Sequence, residues 1–433
     1  MFSVKTHRRR RAELARAMGH GVAVIPTSPE RPRNRDTHYP YRFDSAFYYF
    51  TGFPEPEAVL VLVADGKKHR SLLFCRTRNE EREIWDGFRY GPERAKAAFG
   101  VDEALPIEEL DAQLPKLLAD RPALYFHLGS DSHWDERATG WLKRVREMRG
   151  VELVPEVRDI TRLSDELRIH KDAEELETMR LAADIAADAH RRAMAATLPG
   201  RWEYEVEAEL LYEFRRRGAH APSYPPIVAG GANACVLHYV ANDARLKKGD
   251  LLLIDAGCEV DGYASDITRT FPVSGRFSGP QRDLYQLVLA AQEAAFAKAK
   301  PGLSWNGMHD AAVKVLARGF VDLGLCQGSV DGVIESGDYK RFYMHRTGHL
   351  LGLDVHDVGR LQREGKWRKL EPGMTLTVEP GCYVRPGEGV PEAFWNIGIR
   401  IEDDVAITAK GREILTRHAP TAVAEIEAIV GKE

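Results

Sequence analysis

The 433 residues, 44% apolar and 29% charged, suit two or three domains of roughly 100–200 residues each, with enough apolar content for a large core. Lys plus Arg (61) against Asp plus Glu (65) leaves a formal net charge of −4, which gives no electrostatic reason to expect nucleic acid or an anionic membrane as a partner. No run of about 18 apolar residues occurs, so no membrane span is expected; five scattered cysteines without C-x-x-C spacing argue against a disulfide framework or a cysteine zinc site and suit a reducing, cytoplasmic compartment.

Arg8-Arg9-Arg10-Arg11 has the basic start of an export signal, but Glu13, Arg16, His20 and Gly21 interrupt the apolar stretch such a signal needs. An amphipathic first helix is predicted instead. Beyond it, β-prone runs at 21–25, 47–51, 58–64, 71–75 and 123–127 alternate with helical patterns at 92–99 and 108–118. This alternation predicts an α/β domain over residues 1–166, with no catalytic motif of its own. After the polar segment 158–165, Asp172 and Glu175 form a capping-box pattern ahead of a long helix, which places a second domain at 167–433.

That second domain contains an internal repeat. Residues 249–258 (GDLLLIDAGC) and 373–382 (GMTLTVEPGC) each run from a turn glycine through an apolar strand to an acid, Asp255 or Glu379. A second strand with an acid follows each, carrying Asp266 in one copy and Glu402 in the other. A pseudo-symmetric domain is predicted, each half offering a two-strand unit with a pair of acids at matching places.

Asp261-Gly262 is a two-residue hairpin turn signal. With those two at the turn, Val260 pairs with Tyr263 and Gly257 with Asp266, so Asp255 and Asp266 become diagonal neighbours about 7–8 Å apart. In the second half, period-2 alternation sets Arg400 and Glu402 on the face opposite Ile397, Ile399 and Ile401. A lone strand acid is usually solvated, but Asp255 and Glu379 each close an apolar run of the kind that is buried, and unpaired buried charges are costly. Four clustered carboxylates repel, shift their pKa values or bind cations, and two divalent ions would neutralise them. Met344–Asp357 adds His345, His349 and His356, three of the chain's 15 histidines. The spacing is not H-E-x-x-H, but imidazole beside carboxylates tilts the choice of metal toward Mn, Co or Zn.

These residues carry a resemblance. Residues 252–271 (LLIDAGCEVDGYASDITRTF), 348–359 (GHLLGLDVHDVG), 377–381 (TVEPG) and 398–404 (GIRIEDD) resemble the metal-site motifs of the pita-bread metallopeptidases, and within them most closely bacterial aminopeptidase P, the Xaa-Pro aminopeptidases. The N-terminal half is similar too, in Tyr39-Pro40-Tyr41-Arg42, Tyr49-Phe50-Thr51-Gly52-Phe53 and Glu83-Ile84-Trp85. The resemblance implies an α/β N-terminal domain plus an α+β C-terminal pita-bread domain. It implies five ligands to two divalent cations, most often Mn2+: Asp255, Asp266, His349, Glu379 and Glu402, with Asp266 and Glu402 bridging.

The implied activity is hydrolysis of the bond between an N-terminal residue and a penultimate proline, by a hydroxide shared between the two ions. Glu379 would also shuttle the proton, and His238 and His356 would stabilise the tetrahedral intermediate. His345 and His356 would offer donors to substrate, and Arg400 would hold Glu402 or a neighbouring acid. Tyr383 is a candidate for contact with substrate or a ligand, with a plain core role as its alternative. In relatives the N-terminal domain helps close the substrate site, which would give Trp85 and Asp36 functional roles; a core role for Trp85 is weighed equally. A homo-oligomer, dimer or tetramer, is the family habit. A prolidase restricted to Xaa-Pro dipeptides is the nearest alternative, and an inactive peptide-binding relative the next.

Overall fold

The structure, a computed structural model, describes residues 2–432. The chain divides after Arg168 into two compact units. In the first, strands His20–Pro26, Val59–Asp65 and Lys68–Cys75 pair antiparallel, and Glu103–Pro106, Ala123–Tyr125 and Glu156–Arg158 extend the sheet in parallel. Val22, Val24, Val59, Val61 and Val63 recur at period 2 and pack with Trp141 of the helix Ser132–Glu147, as alternating strands beside an amphipathic helix should. The first helix, Val4–Met18, is present as predicted.

One predicted strand is a helix. Residues 47–51 (FYYFT) are strand-prone by type, yet they lie in the helix Ser45–Thr51. Asp44 accepts from the amide of Phe47 at 2.8 Å, and Gly52 closes the other end with φ +67. Two end signals outweigh the intrinsic preference of five residues, whose aromatic rings still reach the core.

In the second unit, the capping box of Asp172 and Glu175 forms in both directions, at 2.8 and 3.0 Å, and starts the helix Ala173–Ala196. Each half of this unit has the same plan: two helices, then a hairpin interrupted midway. The helices are Ala173–Ala196 with Glu203–Arg216, and Gly279–Lys298 with Asn306–Asp322. In the first hairpin, Leu251–Asp255 pairs with Thr268–Pro272, and Cys258–Val260 with Tyr263–Ala264. In the second, Thr375–Val378 pairs with Asp403–Thr408, and Gly381–Val384 with Ile397–Arg400. Asp261 takes the positive φ that its turn requires, and Val260 faces Tyr263 as predicted.

Register is unchanged across each interruption, and the acids sit at the interruptions. Gly257 is obligatory in the first: a Cβ there would lie 1.7 Å from the Ser265 carbonyl oxygen. The copies are not superimposable in their acids, however. Continuous register places Glu402 directly opposite Glu379, whereas Thr268 is opposite Asp255 and Asp266 faces Gly257. The expectation of acids at matching places is corrected accordingly. The two halves join where the Glu402 amide donates to the Thr268 carbonyl at 3.1 Å. Among the described residues no helix is long and apolar enough to cross a membrane.

His190, on the first long helix, is fully buried and bonds the Ala256 carbonyl through Nε2 at 3.0 Å. Burial is the main reason its pKa falls to about 4. Unfolding releases the ring to its ordinary value of about 6.5, so the unfolded chain binds the extra proton between those values and stability falls as pH drops through that window. Wild type should lose roughly 2 kcal/mol from this group between pH 7 and pH 5. His190→Asn should be weaker at pH 7 yet lose less over the same interval, as read from denaturant midpoints at both pH values.

Candidate metal centre

The interruptions of the two hairpins deliver their acids to one place. Asp255 ends a fully buried strand, Asp266 lies in the gap opposite, Glu379 follows Thr375–Val378 and Glu402 precedes Asp403–Thr408. His349 arrives from the loop between the second helix pair and the second hairpin. Gly348 makes that entry possible, since a Cβ there would meet the Thr377 carbonyl at 2.0 Å. One donor atom each from Asp266, His349 and Glu402 lies within 4.8 Å of the other two. His349 Nε2 is 3.4 Å from Asp266 and 3.7 Å from Glu379. Asp255 joins through Tyr224, whose hydroxyl is 2.5 Å from both Asp255 and Asp266. All five predicted ligands therefore converge, in an oxygen-rich set with one imidazole that fits hard or borderline divalent cations.

Tyr224 was not foreseen; it precedes Pro225-Pro226 in a segment without periodicity, and nothing local marks it. Thr268 was also missed as a site residue. Its hydroxyl donates to Glu402 at 2.6 Å and accepts from Arg400 Nε at 3.0 Å. Arg400 thus reaches Glu402 only through Thr268, and its direct partner is Asp255, at 2.6 Å. A further donor goes to the Tyr383 hydroxyl at 2.9 Å. Tyr383 is 2% exposed, packs among Ile227, Ala229 and Leu253, and stands behind the cavity wall. Its hydroxyl meets His345 Nε2 at 2.9 Å.

Arg400 donates to Tyr383, Tyr383 donates to His345 Nε2, and His345 Nδ1 donates to the Arg346 carbonyl at 2.8 Å. Both ring nitrogens of His345 are therefore engaged, and the expectation that it offers a donor to substrate is corrected: it presents its ring. Burial, and then the Arg400 charge, lowers its pKa to about 3. A separate anchor holds the His356 loop. The Asp357 amide and His349 Nδ1 both donate to the Leu350 carbonyl at 2.9 Å, and the Asp357 carboxylate meets Lys171 at 2.8 Å with both side chains 1% exposed.

Without a cation, the acids are electrostatically frustrated. Glu402 is pushed well above its ordinary pKa by burial and then by Asp266, Asp266 is raised by burial and then by Asp255, and Glu379 rises to about 7, mainly through burial. Burial disfavours the His349 cation, yet its bond to Asp266 and the charges of Glu379 and Asp266 lift it to about 9. A group of buried acids that hold protons and draw in a cationic imidazole is one that a divalent ion would relieve.

The centre forms the floor of a cavity of about 490 Å³. Ile227, Leu237, Val240 and Val355 supply an apolar wall, and His238, His345 and His356 all reach it. His356 stacks edge-on against His349 with ring centres 4.4 Å apart, and its pKa is lowered by burial and then by His349. Trp85 belongs to the other unit, on the short helix Glu80–Asp86, and at 80% exposure it is no core residue.

The profile of metallopeptidase family M24 matches residues 177–409, and that of the aminopeptidase P N-terminal domain matches 7–125. The Xaa-Pro aminopeptidase of Haemophilus influenzae is 44% identical over 423 residues, 97% of this chain and 95% of that protein. The solved structure of Pseudomonas aeruginosa aminopeptidase PepP matches with a TM-score of 0.97 at 49% identity, covering 99% of this chain and 98% of that one. A variant of Escherichia coli aminopeptidase P in complex with substrate matches with a TM-score of 0.95 at 43% identity, over 99% and 98% of the two chains. The chain belongs to metallopeptidase family M24 and, within it, to the aminopeptidase P family, the hydrolases known as Xaa-Pro aminopeptidases.

Proposed function

We propose that Asp255, Asp266, His349, Glu379 and Glu402 hold two divalent cations, Mn2+ in the working enzyme and Co2+ or Zn2+ as substitutes, and that the cavity above them takes the first residues of a peptide with proline in second place. The observation that carries this reading is the convergence of all five ligands on the floor of one cavity with an apolar wall and three histidines. When bound, such cations lower the pKa of water and polarise the scissile carbonyl.

The chain's own residues divide the remaining work. Glu379 keeps 17% of its side chain exposed, so it is placed to accept a proton from the attacking water and pass it to the proline nitrogen, which leaves as a secondary amine. His238 and His356 donate to the oxygen that becomes negative as the carbonyl turns tetrahedral. The imide has no N–H to recognise, so the proline ring is sorted by shape, against the ring of His345 and the apolar wall. Arg400 orients Asp255, and Tyr383 orients His345.

All five cysteines are buried and unpaired, in keeping with a reducing cytoplasm. Ile84, Trp85 and Phe88 are 58–81% exposed on the single chain, an apolar surface suited to burial in a homo-oligomer; nucleic acid and membrane have no place in it.

The purified enzyme, tested on Xaa-Pro-Yaa peptides against a panel of metals, should cleave before the proline, fastest with Mn2+; cleavage of Xaa-Pro dipeptides alone would make it a prolidase. Glu379→Ala should abolish turnover and also lower metal content by elemental analysis, because it removes a ligand together with the proton carrier. His356→Ala should retain its metal while kcat/KM falls about 10²-fold or more; loss of metal in that variant would show that the role is misassigned.

A further inference from the structure

Glu203 opens the helix Glu203–Arg216 and is completely buried. Its carboxylate accepts four hydrogen bonds from a single stretch of chain. Oε1 accepts from the Gly230 amide at 2.7 Å and Asn233 Nδ2 at 3.1 Å; Oε2 accepts from the Tyr239 hydroxyl at 2.8 Å and the Ala244 amide at 2.9 Å. The Glu203 amide donates in turn to the Ala244 carbonyl at 3.0 Å. Gly230 permits the close approach, for a Cβ there would lie 3.3 Å from Oε1 and 2.9 Å from Leu246. A carboxylate this deep persists only with its oxygens satisfied, and charge-assisted bonds to amides hold their partners firmly.

The partners bracket residues 230–244, the segment that brings Leu237, His238 and Val240 to the cavity. His238 is exposed, and among the described residues its ring makes no hydrogen bond of its own. Its direction is therefore set by its backbone and neighbours. Tyr239, the next residue, is bonded to Glu203, while Leu237, the one before, packs with Tyr239 against Ile227, Leu253 and Tyr383. One helical turn beyond Glu203, Glu207 accepts from Asn242 at 2.9 Å and steadies the same segment.

We propose that Glu203 is a positioning residue for the hydrolysis: through Tyr239 and the amides of Gly230 and Ala244, it sets where His238 stands over the metal centre. This rests on the reading of His238 as a group that touches substrate. Glu203→Gln keeps the volume but turns one acceptor oxygen into an amide nitrogen that cannot accept from a backbone N–H. Tyr239→Phe removes one of the four bonds to Glu203, together with the weaker contact of the same hydroxyl to Asp243 at 3.3 Å, and leaves the other three.

With the Mn-loaded full-length enzyme and an Xaa-Pro-Yaa peptide, Glu203→Gln should lower kcat/KM by about 10–100-fold, the cost of a misplaced catalytic group. Tyr239→Phe should show the same effect in milder form. Metal content should match wild type, and deuterium uptake over 230–244 should rise. In a His238→Ala background either substitution should change kcat/KM by less than about twofold, since the group being positioned is gone. An undiminished loss in that background, or wild-type kcat/KM in both variants while His238→Ala alone is impaired, overturns the role of Glu203. Unchanged kcat/KM in His238→Ala alone overturns the reading of His238 on which it rests. Where Glu203→Gln fails to fold, the cycle with Tyr239→Phe decides.

Discussion

Carboxylates crowded into a poorly solvated pocket repel one another, and much of the surrounding structure answers that repulsion. Asp255, Asp266, Glu379 and Glu402 are all drawn out of bulk water. Arg400 and Tyr224 give them fixed donors, the Thr268 hydroxyl caps Glu402, and the His349 ring lies between Asp266 and Glu379. Those contacts balance only part of the charge, since Asp266, Glu379 and Glu402 still hold their protons more tightly than usual. A site with too many acids for its own cations is a site shaped for metal.

The same constraint accounts for the broken hairpins. In a continuous ladder, the side chains of one strand spread along it at about 7 Å intervals on a face, too far apart to share an ion. Interrupting each ladder at its acid lets residues from four strands meet at one point while the flanking strands stay in register. The duplicated frame is then used asymmetrically. One half sets two acids directly opposite, Glu379 and Glu402; the other sets Thr268 opposite Asp255 and brings Asp266 in from the gap. Where the second hairpin has an acid, the first has the Thr268 hydroxyl, which bonds both Glu402 and Arg400.

Much of this was legible in the residues themselves. Acids that end buried apolar runs announce a paired or metal-bound fate, and Asp261-Gly262 predicts the register that relates Asp255 to Asp266. The helix starting at Asp172 could be read from its cap. Where reading failed, short-range competition or long-range assembly was responsible. At 47–51, Asp44 and Gly52 overrode five strand-prone residues. Trp85, an aromatic that composition alone would send to a core, sits on an exposed seven-residue helix. Tyr224 and Glu203 carry no local signal because their importance lies in partners 31 to 42 and 27 to 41 positions away.

By itself, then, the sequence determined the two-unit division, the duplicated strand frame and the acids that end its buried strands, because caps, turns, alternation and strand-ending acids act over a few residues and leave their pattern in consecutive positions. The tertiary structure decided who serves whom within the site. It turned Arg400 toward Asp255, 145 positions away, took both nitrogens of His345 out of use, and placed Tyr383 behind the wall. Such choices depend on which donors arrive beside which acceptors once distant strands have packed, and a chain met one residue at a time does not contain that geometry.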